Sequence, residues 1–144
     1  MLRTCFLAAL LLASGGALAC GYCVEDKMAA AYDHAVVTRA LGRQHHVAFF
    51  HVEGRLAAGD GGKRALEKLA ESSPGVDKGS ARASVEAATI AVAFDPRRTP
   101  VMALQQDLER RLAAKKLALL LLQVMDRPAD FSPAVSREMR ARGN

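Results

Sequence analysis

The order of the segments that follow Gln44 constrains the fold of this chain more than any other feature of its sequence. In chain order, these are a predicted strand over 45–53, a helix over 63–72, strands over 80–85 and 89–94, a helix that starts at Pro100 after a Thr99 cap, and an apolar segment over 116–125. Residues that favour strands predict the first strand, alternation of apolar with other residues predicts the strands over 80–85 and 89–94, and apolar residues at helical spacing predict the helices. The last segment (KLALLLLQVM) is apolar at nearly every position, so periodicity allows either an extension of the helix or a buried strand.

The first 19 residues resemble a removable secretory signal. Arg3 precedes a short apolar run, and the small residues Ala17 and Ala19 form an A-x-A cleavage site. The run is too short to span a bilayer. We therefore expect an exported protein, periplasmic or secreted, that begins at Cys20. Acylation of Cys20 would instead make the protein a membrane-anchored lipoprotein.

Composition narrows the class of protein. The 144 residues are 51% hydrophobic and 24% charged, with a formal net charge of +5, which is typical of a globular chain. Basic residues are scattered without aromatic platforms, so we expect no nucleic-acid partner. The sequence shows no Ser-His-Asp set, acidic pair or zinc-protease motif, and we do not expect an enzyme.

A Cys-x-x-Cys motif, Cys20-Gly-Tyr-Cys23, immediately precedes a helix predicted over 24–41. Two thiols at this spacing can bind one soft metal ion, with Cu(I) and Zn(II) favoured, or close into a disulfide. A helix N-terminus is expected to stabilise the thiolate that both reactions need. One pair of cysteines cannot complete a tetrahedral site.

Helix and strand lengths suggest where further ligands could come from. The predicted helix would be ~27 Å long and the strand over 45–53 would be ~30 Å long. Because a short connection joins them, they should run antiparallel, which returns Cys20 and Cys23 to the end of the strand near His51 and Gly54. The predicted metal ligands are therefore Cys20, Cys23 and His51, with His45 and His46 as a weaker second site.

The segment order, with 116–125 read as a strand, is the ferredoxin-like βαββαβ arrangement of an α+β protein. Three segments resemble those of the heavy-metal-associated domain family, the copper-chaperone-like modules. They are Val52-Glu53-Gly54, residues 65–69 with Pro74-Gly75-Val76, and residues 90–96. The resemblance covers residues 46–125 and implies a soft-metal-binding module. The family holds its metal in a Met-x-Cys-x-x-Cys loop after the first strand. Residues 54–58 (GRLAA) have no cysteine there, so those ligands cannot be assigned to this loop.

The same resemblance divides the first strand between two faces of the sheet. Ala48, Phe50 and Val52 would face the core helices. The alternate residues Val47, Phe49 and His51 would face the opposite side of the sheet. We expect the helix over 24–41 to cover the second face, within one chain or by exchange in a homodimer. Met28 would then be a core residue, and the segment 116–125 would be buried on both faces.

These features predict four regions and a ranked set of functions. The regions are a signal peptide (1–19), a Cys-x-x-Cys segment with an N-terminal helix (20–44), a heavy-metal-associated-like domain (45–125) and a C-terminal tail (126–144). The favoured function is binding of a soft metal ion, with a membrane metal transporter or another periplasmic protein as partner. The alternatives are an interaction scaffold or lipoprotein with structural cysteines, and a thiol–disulfide oxidoreductase, since Cys-Gly-Tyr-Cys also occurs in disulfide isomerases of thioredoxin fold.

Overall fold

The computed structural model describes residues 23–128, and within them it contains four helices and one four-stranded sheet. The predicted signal peptide, Cys20 and residues 129–144 of the tail lie outside this range. The elements are α1 (Val24–Ala30), α2 (His34–Gly42), β1 (His46–Glu53), α3 (Gly59–Glu71), β2 (Arg82–Ser84), β3 (Thr89–Phe94), α4 (Val101–Ala113) and β4 (Ala118–Met125).

The sheet has the strand order β2-β3-β1-β4, and every neighbouring pair is antiparallel. Helix α3 connects β1 to β2, and α4 connects β3 to β4. This is the predicted ferredoxin-like arrangement, which the structure confirms. The segment 116–125 supplies a strand and not a helix extension, because β4 pairs with β1 from Glu53↔Ala118 to Val47↔Met125, with a bulge between Phe49 and Phe50.

One hydrophobic core lies between the sheet and the helices α3 and α4. Phe50 and Leu104 are fully buried in it, and Val52 and Leu112 are almost so. The prediction that Ala48, Phe50 and Val52 face these helices is confirmed. Each buried apolar side chain of this size stabilises the fold by about 1.5–3 kcal/mol relative to exposure.

A second core lies on the opposite face, under α1 and α2. Four residues of these helices and their linker pack with five of the sheet: Met28, Ala31, Val37 and Ala40 with Val47, Phe49, Ala91, Ala93 and Met125. The predicted cover of this face, and the assignment of Met28 to the core, are confirmed. The expectation that β4 is buried on both faces is wrong at Leu120, which is 54% exposed because β4 is an edge strand that α1 and α2 do not reach at this point.

The single helix predicted over 24–41 is wrong, because the chain breaks between Ala30 and His34. Asp33 causes the break: one carboxylate oxygen accepts from the backbone N–H of Val36 at 3.0 Å and caps α2. The other accepts from Nε of Arg82 at 2.7 Å, on the far strand β2. Helix α2 packs against β1 and β3 and leads to the start of β1, where the His45 N–H donates to the Ala40 carbonyl at 2.9 Å.

Helix α3 begins at Gly59, four residues before the predicted start at Lys63. The glycine-rich sequence that suggested a loop instead forms the first turn of the helix. At Gly62 an added Cβ would collide with the carbonyl of Ala57. Glycine is therefore needed here for close approach of the backbone.

Asp33→Asn is expected to lower stability at neutral pH but not in acid. The Arg82 guanidinium and the Val36 N–H hold the pKa of the Asp33 carboxyl below its usual range. A carboxyl whose pKa is lower in the folded than in the unfolded state stabilises the protein above the unfolded pKa of about 4, and this contribution is lost as pH falls through the folded value. Asparagine can still accept the capping hydrogen bond of α2, so the substitution measures the contribution of the ion pair with Arg82 alone.

Urea unfolding of both proteins at a series of pH values from neutral to strongly acidic checks this prediction. The difference in the free energy of unfolding should shrink as the pH falls below about 4. Arg82→Gln should show the same pH dependence, and the double variant should add little to either. A difference that stays constant with pH would rule out the ion pair as its origin.

Candidate metal-binding site

Cys23 lies at the N-cap of α1, with an exposed thiol that is in no disulfide. Its Sγ donates to the carboxylates of the next turn, to Oδ2 of Asp26 at 3.0 Å and to Oε2 of Glu25 at 3.5 Å. Cys20, its predicted partner, is three residues earlier and outside the described range. The structure therefore gives the surroundings of one of the two predicted thiols.

These carboxylates change the chemistry expected of Cys23. The hydrogen bond to Asp26 raises the pKa of the Cys23 thiol, and it outweighs the opposing effect of the Asp26 backbone N–H at the helix start. The predicted stabilisation of the thiolate by the helix N-terminus is present in this N–H, but the Asp26 carboxylate outweighs it. A metal ion bound here must displace a proton at neutral pH, so its affinity has to rise with pH.

His51 is half-buried on β1, on the face that α1 and α2 cover. It lies opposite Thr89 of β3 and Leu120 of β4. Its Nδ1 is 2.8 Å from the carbonyl oxygen of Ala88. A neutral ring that donates from Nδ1 carries its lone pair on Nε2, which is the arrangement most metal-binding histidines adopt.

The structure does not join these predicted ligands into one centre. Within residues 23–128, no hydrogen bond links Cys23 to His51, and no three His, Cys, Asp or Glu side chains form a group that could hold a metal ion. The geometric argument that placed the cysteines beside His51 assumed a straight helix, and Asp33 breaks it. The ligand set Cys20, Cys23 and His51 stays a prediction.

The end of β1, where the resembled family has its metal loop, is closely packed. Gly54 has a φ of 118°, and an added Cβ would lie 2.8 Å from the Lys116 carbonyl oxygen and from the Leu117 side chain. Leu117 is buried against the first core. The turn before β4 therefore approaches the backbone directly after β1.

His45, at the other end of β1, has carboxylate partners that sequence reasoning missed. Its Nδ1 is 2.7 Å from Asp77 and its Nε2 is 3.8 Å from Asp95. The pKa of Asp95 is lowered, chiefly by Arg97 and also by His45. Because Asp77 and Asp95 are distant in the chain, no local pattern could show this cluster, which ties the start of β1 to the loops after α3 and β3.

None of the helices in residues 23–128 combines the length and the apolar character needed to cross a bilayer.

No protein-family model and no curated protein matches this chain. Among solved structures, the chain is similar to the crystal structure of oxidized MerP from Ralstonia metallidurans CH34, at 20% sequence identity and a TM-score of 0.43. The match covers 55% of this chain and 99% of that one. The ferredoxin-like assignment itself follows from the strand order and connections described above.

Proposed function

We propose that this chain is an exported protein that binds a soft metal ion, Cu(I) or Zn(II), through Cys20 and Cys23. The observation that carries the proposal is the exposed, unbridged thiol of Cys23 at the start of α1, three residues after a second cysteine. Met28, one turn further on, is 1% exposed in the second core. This packing supports the proposal because it holds the helix that Cys23 caps against the sheet.

The surroundings of Cys23 separate the two candidate metals. Zn(II) accepts carboxylate oxygens beside thiolates, whereas Cu(I) prefers sulfur. Asp26 and Glu25 are both within hydrogen-bonding reach of Sγ and could supply an oxygen to Zn(II). His51 is kept as a candidate third ligand, since the bond from Nδ1 to Ala88 leaves Nε2 to coordinate.

The proposed location is the periplasm or the outside of the cell, after removal of residues 1–19. The proposed partner is a membrane metal transporter or another periplasmic protein that exchanges metal with the chain. We propose a binding role and no enzymatic one. The intact mass of the exported protein would show whether Cys20 is free, bridged or acylated, and acylation would change the proposal to a membrane-anchored form.

Replacing both Cys20 and Cys23 by serine is expected to weaken Cu(I) or Zn(II) binding by about a hundredfold or more, since both thiolate ligands are lost. Competition titrations of reduced protein against a chromogenic chelator measure the affinity. Each single variant should lie between the double variant and the original chain. Far-UV circular dichroism should be unchanged, because Cys23 is exposed. Equal affinities for the original and double-variant proteins would refute the proposal and favour an interaction scaffold.

Asp26→Asn is expected to distinguish the metals. It removes the carboxylate that raises the pKa of Cys23, so the rise of Cu(I) affinity with pH should move to lower pH. Zn(II) affinity should fall if the carboxylate is a ligand. Asp60→Asn, in the first turn of α3, is the matched control. If Asp26→Asn and Asp60→Asn behave alike with both metals, Asp26 has no part in the site.

Two further measurements address His51 and the redox alternative. His51→Gln should weaken metal binding if Nε2 coordinates, and an unchanged affinity would remove His51 from the ligand set. Thiol–disulfide exchange needs a thiolate as the attacking group, and the raised pKa of Cys23 disfavours this role for Cys23. Reduction of insulin by the protein at a rate well above that of the double serine variant would favour the oxidoreductase instead.

A further inference from the structure

The acidic and basic side chains of α3 point in different directions. Glu67 and Glu71 accept from backbone N–H groups of β2 and of the residue before it, at 3.0 Å and 3.3 Å. Glu67 is also 4.0 Å from Nζ of Lys63. The side chains of Arg64 and Lys68 are exposed, and neither has an ion-pair partner within the described part of the chain. The carboxylates of α3 are therefore used within the fold, whereas two of its cations are not.

Helical spacing directs Arg64 and Lys68 away from the sheet. Helix α3 packs on the sheet through Leu66 and Ala70, which are buried. Lys68 is two residues from each of them and Arg64 is two residues from Leu66, a rotation of about 200° around the helix. Both cations therefore lie on the outer side of α3. They are also four residues apart, and like charges at this spacing slightly destabilise a helix. The stability of α3 does not account for their placement.

Helix α4 has the same arrangement. Leu108 and Leu112 are buried against the sheet, and Arg110, midway between them, is 76% exposed. Arg110 donates to Oδ1 of Asp107 at 2.8 Å, and Arg111 donates to Oδ2 of the same carboxylate at 2.8 Å. Because one carboxylate serves two guanidinium groups, this side of α4 keeps a net positive charge.

The outer sides of α3 and α4 form one surface, because the two helices are joined there. Arg111 donates to Oγ of Ser72, directly after α3, at 3.2 Å. We call the outer sides of the two helices, with Arg64, Lys68 and Arg110, the outer helical surface. Helices α1 and α2 pack on the opposite face of the sheet.

The other charges of this layer leave the outer helical surface positive. Lys115 and Lys116, directly after α4, are exposed, as is Asp60 in the first turn of α3. Glu109 is half-buried and accepts from Gln105 of its own helix at 3.0 Å. Basic groups on the outer sides and at the ends of these helices therefore outnumber the exposed carboxylates, and the surface attracts anions.

We propose that the outer helical surface binds the anionic phospholipid headgroups of a membrane. Headgroups of a fluid bilayer can move to meet fixed cations, so this contact needs charge and no complementary pocket. Met102 adds an apolar group: it is 57% exposed and lies two residues before the buried Leu104, which places it on the outer side of α4. Cations beside an exposed apolar side chain match the boundary between headgroups and acyl chains.

A folded protein partner fits this surface less well. The centres of protein–protein interfaces are enriched in aromatic anchors, and α3 and α4 contain no aromatic residue. The proposal is independent of the metal site, because Cys23 begins α1 on the opposite face of the sheet.

Co-sedimentation of the full-length protein with lipid vesicles, in reductant and a metal chelator, tests the proposal. At low ionic strength, phosphatidylcholine vesicles with about 30% phosphatidylglycerol should bind the protein about tenfold or more tightly than phosphatidylcholine alone. Screening at ~0.5 M salt should remove this difference. An apolar N-terminal segment or an acyl chain enters both kinds of vesicle and does not by itself produce it. Equal binding to the two kinds of vesicle, or a difference that salt does not reduce, would overturn the proposal.

Reversing the two unpaired cations locates the contact. Arg64→Glu combined with Lys68→Glu should weaken binding to the anionic vesicles about tenfold or more, and Arg64→Gln combined with Lys68→Gln should weaken it less. Arg39→Glu combined with Arg43→Glu is the matched control, because these exposed cations are also four residues apart but lie at the end of α2. The control should stay within about threefold of the original protein. Equal weakening by the two double reversals would mean that net charge alone drives binding, and the proposal would be wrong.

Polyglutamate identifies the competing class of partner, an acidic protein. If the outer helical surface is specific for lipid headgroups, the original protein should bind the anionic vesicles, and Arg64→Glu with Lys68→Glu should reduce that binding. Binding to polyglutamate without binding to either kind of vesicle would assign the surface to acidic proteins and overturn the proposal. Far-UV circular dichroism checks that each variant is folded, which is expected because all four substituted side chains are exposed.

Discussion

Replacing Phe49 by alanine is expected to lower the free energy of unfolding by about 3–5 kcal/mol, the usual cost of deleting a buried aromatic ring. Phe49 is 0% exposed and is the largest side chain that the sheet contributes to the core beneath α1 and α2. Its neighbours there, Ala91 and Ala93, are too small to fill the cavity that would be left. Guanidinium unfolding followed by far-UV circular dichroism measures the change.

Two further variants, one on the surface and one in the first core, serve as controls for Phe49→Ala. Met102→Ala, on an exposed side chain, should change stability by less than about 0.5 kcal/mol. Phe50→Ala removes an equally buried ring from the first core and should cost a similar amount. Because adjacent residues of one strand serve the two cores, each variant should show one transition at a lower midpoint. A cost below about 1 kcal/mol at Phe49, or a separate early transition, would mean that α1 and α2 contribute little to the stability of the sheet.

Replacing Gly54 by alanine is expected to cost about 2–3 kcal/mol. Gly54 has a φ of 118°, a backbone conformation that residues other than glycine rarely adopt. The new Cβ would also lie 2.8 Å from the Lys116 carbonyl oxygen, a backbone atom that cannot move alone. The turn before β4 would have to shift, and with it Leu117. Urea unfolding of the original and variant proteins measures the loss.

Gly42→Ala is the matched control for this prediction. Gly42 ends α2, its φ is not positive, and an added Cβ would meet no atom within 4 Å. Alanine there should leave stability unchanged or raise it by up to about 1 kcal/mol. Losses of similar size at Gly42 and Gly54 would show that neither the conformation nor the contact with Lys116 matters.

Much of the fold was predictable because periodicity reports which residues face a core. The bounds of β3 and the division of β1 between two faces are confirmed, and α4 begins one residue after its predicted start at Pro100. The break between α1 and α2 was not predictable, since Arg82, 49 residues after Asp33, helps to fix it. The exposure of Leu120 depends on where β4 lies in the sheet, which its uniformly apolar sequence does not show.

The candidate site was only partly predictable. The spacing of the cysteines and the position of His51 on its strand follow directly from the sequence. The sequence shows both Glu25 and Asp26, but not that the Cys23 thiol donates to Asp26 at 3.0 Å. This hydrogen bond raises the pKa of Cys23 and outweighs the opposing effect of the Asp26 backbone N–H at the helix start. Which effect dominates depends on side-chain positions that residue spacing leaves open.

The shared burial of Met28 and Met125 has a consequence for how the polypeptide acquires its structure. These residues come from opposite ends of the described chain, and the last strand lies beside the first. A nascent chain therefore cannot complete either core until residue 125 has been synthesised. Contacts between residues so far apart in the chain favour slow folding, because the long loop must close before they form.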